Sequence, residues 1–159
     1  MKYFSVFVLL FLLAGCQQNN EPTTTAPSKT NASSSKENTH QKPYDITVQQ
    51  NGEQLIFKQG GYTWSYKENG EYVTVTTDHA SPNQMVDLAS VPPLQLTDDI
   101  SIEWPVEPDL YTINVWEDEN IVGSYHSFSA ITQTGPIVIE VVGEWPEGRG
   151  TYVAGFDVK

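Results

Sequence analysis

Few side chains here combine a reactive type with a useful spacing. Cys16 is the only cysteine, and it follows Leu13-Ala14-Gly15. A thiolate is a nucleophile that can accept an acyl group, and small residues ahead of it let the backbone enter a peptidase cleft. A single cysteine excludes an intrachain disulfide framework and a cysteine-rich zinc site. Asp78-His79 and His126 are of the types that ligate zinc, but nothing in the sequence sets their distance. Glu117-Asp118-Glu119-Asn120 and Asp98-Asp99 offer oxygen atoms to calcium. They lack the alternating positions and the glycine of an EF-hand loop, and they read as solvated turns. Asp98 and Asp99 point to opposite faces of a strand, so they make no acid–base pair. There is no Gly-x-Ser-x-Gly elbow, no His-Glu-x-x-His and no phosphate-cradling glycine loop. The chain reads as a non-enzyme, with no catalytic residue, resident metal or cofactor expected.

The aromatic residues are the other resource. Tyr62, Trp64 and Tyr66 alternate with Thr63 and Ser65, which places the three rings on one face of a strand. Exposed, such a stripe would stack on sugar rings; with Thr63 and Ser65 as its polar face, it reads as core. Trp116 lies on the face of Leu110, Thr112 and Asn114, opposite Tyr111, Ile113 and Val115. A core or edge contact is its plainer role. Any binding patch is expected to contain Trp116, with Glu117 and Asp118 as an acidic rim.

Positioning these residues takes three unlike segments within 159 residues. Met1-Lys2, an apolar run from Tyr3 to Leu13 and Ala14-Gly15 form a secretory signal, too short to cross a membrane, which takes about 20 apolar residues. Leu13-Ala14-Gly15-Cys16 resembles the lipobox of bacterial lipoproteins. That resemblance implies cleavage after residue 15, diacylation of Cys16 and a lipid anchor on the outer face of the cell membrane. Two chains anchor stably, each buried methylene adding about 0.8 kcal/mol.

Residues 17–43 are mostly Gln, Asn, Thr, Ser, Pro and Lys. They are too polar to offset their ordering entropy, and they read as a disordered linker spanning roughly 30 Å. His40 falls in this stretch as a solvated residue. The domain is expected over residues 44–159. It carries Lys58, Lys67, Arg149 and Lys159 against 18 carboxylates, a net of −14. Such charge keeps a domain soluble and disfavours nucleic acid, whose binding needs cations on the protein. As a functional feature, it would select a cationic partner or a divalent ion.

From Tyr44 on, the hydrophobic period is two, broken by turn signals every 8–12 residues. Asn51-Gly52 and Asn69-Gly70 are hairpin turns between β-rich runs. Ser81-Pro82-Asn83-Gln84 is a helix start, with Ser81 as cap and Gln84 reaching back; Pro92-Pro93 keeps that helix short. Ile100, Ile102 and Trp104 share a face, as do Ile137, Ile139, Val141 and Trp145, and Tyr152, Ala154, Phe156 and Val158. The expected fold is all-β, a sandwich of about nine strands with one short helix.

Ile100 to Trp104, Tyr111 to Trp116 and Tyr152 to Val158 resemble strands of an immunoglobulin-like sandwich, without the disulfide of antibody domains. Gly61-Tyr62-Thr63-Trp64, Asp78, Pro82 and Trp116 resemble, more loosely, a pattern in small lipoproteins of Gram-positive bacteria. The function expected is a surface-displayed, non-enzymatic module that binds an envelope protein or senses a signal. The alternative is a module for polysaccharide or a small ligand, using exposed tryptophans. The remaining partner is the lipid bilayer, through acylated Cys16.

Overall fold

Two Asn-Gly pairs turn the chain as expected. Asn51 and Gly52 have φ of 52° and 82°, and Asn69 and Gly70 have 53° and 86°. Positive values at both central positions are what a type I′ turn requires. The first pair joins β1 (Thr47–Gln50) to β2 (Glu53–Leu55), and the second joins β3 (Lys58–Glu68) to β4 (Glu71–Thr77). The computed structural model describes residues 39–159. The expected signal peptide over residues 1–15, Cys16 and the linker as far as residue 38 lie outside the described residues.

Beyond β4, two short 3-10 turns, Pro82–Met85 and Leu88–Ser90, lead to β5 (Pro93–Leu94) and β6 (Ile100–Glu103). There follow β7 (Leu110–Glu117), β8 (Asn120–Tyr125), a third 3-10 turn, β9 (Gly135–Trp145) and β10 (Gly148–Val158). A three-stranded sheet runs in the order β2-β1-β6. The larger runs β4-β3-β10-β9-β7-β8, with β5 pairing in parallel beside the end of β10. The other pairings are antiparallel. The protein is an all-β sandwich, with the strands of the described residues divided three against seven.

The core lies between the sheets. Ile137, Ile139, Val141 and Trp145 of β9 and Tyr152, Ala154 and Phe156 of β10 project into it, against Val48 of β1 and Ile100 and Ile102 of β6. Trp64 is fully buried among Tyr44 and Trp145, and Tyr66 is also in the core, as the alternation predicts.

Two local expectations change. The helix start at Ser81 produces only a single 3-10 turn. Ser81 makes no side-chain cap; its carbonyl accepts from the amides of Gln84 (2.9 Å) and Met85 (3.2 Å). Val86 then returns to extended backbone (φ −123°), so the helix stops after this one turn, without a capping box. Packing also begins before Tyr44. Pro43 is fully buried, a Cβ on Gly150 would strike its ring, and the His40 carbonyl accepts the Trp64 indole N–H at 2.7 Å. A proline ring and a backbone carbonyl pack without any hydrophobic pattern to announce them.

Candidate functional site

Strand β9 is apolar on both faces, which sets up the site. Val138, Glu140 and Val142 alternate with the core residues and point away from the small sheet. Val138 and Val142 are nonetheless buried. The cover is the connection between β4 and β5, whose 3-10 turns lie over this outer face. Val86 and Val91 sit so close above Gly155 of β10 that a Cβ there would strike both. Lys58 reaches the Met85 carbonyl from below (3.5 Å).

The cover is incomplete. A cavity of about 700 Å³ remains between the outer face and residues 78–85, within the size range of small-molecule sites. Trp116, Glu140, Arg149, Thr151 and His79 are among the side chains lining it.

The register explains how Glu140 and Trp116 meet. Glu140 pairs across the sheet with Asn114 of β7 and Val153 of β10, while Trp116 pairs with Val138. Asn114, Trp116 and Glu140 therefore share the outer face within one diagonal of each other. Asn114 Nδ2 donates to Glu140 Oε2 at 3.1 Å, and Trp116 Nε1 donates to the same oxygen at 3.0 Å. Ser124 Oγ on β8 donates to Asn114 Oδ1 at 2.8 Å, which orients the amide. The Glu140 side chain is thus held from β7, with β8 bracing the Asn114 amide, and Glu140 is only 7% exposed. Its other oxygen, Oε1, has no hydrogen-bond partner among the described residues, and no ion pair among them involves Glu140.

The lining is acidic. It includes the carboxylates Asp78, Glu119 and Glu140 and one guanidinium, that of Arg149. Arg149 precedes Val153, the cross-strand partner of Glu140, by four residues on β10, about 13 Å along the strand. Ser81 Oγ approaches Glu119 at 3.5 Å, linking the covering loop to the β7–β8 turn.

The expected site residues are only partly brought together. Trp116 is half-buried on the non-core face, as its alternation predicts. Glu117 and Asp118 do not line the cavity. They stand exposed at the β7–β8 turn, where Asp118 has φ 50°, and the acidic residue at the rim is Glu119. The tight turn shifts the rim by one residue. His79 lines the cavity, whereas His126 packs elsewhere, its Nδ1 3.1 Å from the Tyr111 carbonyl. Among the described residues, no three His, Cys, Asp or Glu side chains converge as metal ligands. Asp99 accepts instead from Gln50 Nε2 at 3.3 Å and from Thr97.

Glu140 is the functional candidate that sequence reasoning passes over. Its signal was present. Val138 and Val142 flank it on the same face, so that face of β9 is as apolar as the core face and must be covered.

Fold and cavity together define an all-β sandwich with a ligand-sized hollow on the outer face of its larger sheet. No protein-family model, curated protein or solved structure matches the chain.

Proposed function

We propose that this protein is a non-enzymatic binding module of the cell envelope, tethered through lipid on Cys16, and that it takes a small ligand or a sugar unit in the outer-face cavity. The observation that carries this reading is the cavity itself. It has a half-buried tryptophan and a carboxylate held rigidly by two neighbouring donors. Ligand sites combine an apolar wall with a few fixed polar groups in this way. Trp116 supplies the stacking surface, and the Glu140 network fixes the ring.

The test is a titration of fragments and monosaccharides followed by the indole N–H resonance of Trp116. Ligands should move that resonance, and Trp116→Ala should abolish binding while leaving the fold intact. Binding that persists in Trp116→Ala would refute the assignment. The anchor has its own test: a fatty-acid probe should label the wild type and not Cys16→Ala.

A second reading is favoured by the edge of the large sheet. Strand β8 has no neighbour on its outer side among the described residues, and it exposes Ile121 (48%) and Val122 (42%). An extended segment of an envelope protein would add there as a further strand. Crosslinking from β8 positions in intact envelopes tests it; crosslinks confined to the cavity rim would count against it.

A further inference from the structure

We infer that the ligand of the outer-face cavity is an organic cation, an aliphatic amine whose ammonium group is received by Glu140. This rests on reading that cavity as the binding site. As the site stands among the described residues, only one of the two Glu140 oxygens is satisfied. Glu140 is a carboxylate 7% exposed whose Oε1 is not enclosed, so that oxygen is open to a charged donor from the cavity side, the strong class of hydrogen bond for a carboxylate. Its two donors, the Asn114 amide and the Trp116 indole, are neutral, and both serve one oxygen. Oε1 is left without a partner among the described residues, in a side chain that lines the cavity.

Three features choose among ligand chemistries. An anion would meet three lining carboxylates and a single guanidinium. A hard metal ion takes six to eight oxygen ligands, whereas no three ligating side chains converge here among the described residues. An ammonium needs only one carboxylate and an aromatic neighbour. Trp116 lines the cavity beside Glu140, and a cation over an indole gains further electrostatic attraction. Val153, Met85 and Ile121 in the lining offer an apolar wall to an aliphatic body. The net charge of −14 over residues 44–159 draws cations toward the surface.

The experiment uses the full chain and two matched pairs of probes. Cadaverine and 1,5-pentanediol have the same carbon chain, with and without charge. Glucosamine and N-acetylglucosamine differ in whether the nitrogen is cationic. Each is titrated by calorimetry and by the shift of the Trp116 indole N–H. The cationic member of each pair should bind at least tenfold tighter. Glu140→Gln, which keeps the shape and removes the charge, should erase that preference while the neutral probes still bind. Should Glu140→Gln fail to fold, the wild type decides by ionic strength: added salt should weaken cadaverine and leave pentanediol unchanged. Equal binding within each pair, with Trp116 shifted by both members, would overturn the amine assignment and leave the cavity reading standing. If no probe moves the Trp116 resonance, both are overturned.

Discussion

Replacing Trp64 with alanine is the sharpest test of how this domain is built. Trp64 is 0% exposed. Its ring meets Tyr44 edge-on at 5.6 Å and 89°, and Trp145 at 5.5 Å and 71°. Its indole N–H is 2.7 Å from the His40 carbonyl. Truncating a buried tryptophan costs about 3–5 kcal/mol in lost transfer energy and residual cavity. Edge-to-face partners add about 0.5–1.5 kcal/mol each beyond area, which places this site at the upper end. A domain of this size has only about 5–15 kcal/mol of stability to lose. At about 4 °C per kcal/mol, the melting temperature should fall by about 12–20 °C.

Trp116→Ala is the matched control. Trp116 already borders an open cavity, so truncation enlarges a hollow that water can enter. The main loss is one of two donors to Glu140, about 1–2 kcal/mol. Urea denaturation followed by far-UV circular dichroism compares the two, with m-values checking that the denatured state is unchanged. If Trp116→Ala lowers the midpoint more than Trp64→Ala does, the outer face carries the stability, and the cavity is a packing defect of a second core.

Starting the chain at Tyr44 instead of Thr39 should cost about 1–3 kcal/mol, because the Trp64 N–H loses its acceptor and Pro43 its buried seat; equal urea midpoints for the two truncations would refute this. Burial pushes the Tyr152 phenol above its ordinary range, with Asp45 adding to it, and burial followed by Glu147 raises Tyr44. Unfolded phenols ionise near about pH 10, so above that the unfolded state holds fewer protons than the folded one and stability falls with rising pH. Tyr152→Phe should flatten this alkaline limb while costing about 1 kcal/mol at neutral pH for the bond to the Tyr44 carbonyl; parallel limbs in urea midpoints between about pH 7 and 11 would contradict it. Gly148 has φ 152°, and a Cβ there would overlap the Thr63 carbonyl, so Gly148→Ala should cost at least about 2 kcal/mol in thermal melts; an unchanged melt would mean that β3 and β10 are not in this register.

The local grammar of the domain was legible in its residues. Asn-Gly pairs admit positive φ at little cost, so Asn51-Gly52 and Asn69-Gly70 announce their hairpins wherever the strands later go. Strand alternation has period two, so it places Trp64 on a core face and Trp116 on a non-core face whatever lies opposite them. What alternation does not contain is the identity of whatever lies above a face. That Glu140 is buried depends on residues 82–91 folding back across β9 and β10, and on β7 being in register with β9 so that Asn114 and Trp116 both reach one oxygen. The same long-range packing set Glu119, and not Glu117 or Asp118, at the cavity rim, and drew Pro43 and the His40 carbonyl into the domain. Turn chemistry and side-chain direction are properties of a few consecutive residues. Burial, register and the meeting of side chains 24 to 26 positions apart belong to the folded sandwich, because only there do non-local contacts outweigh local preference.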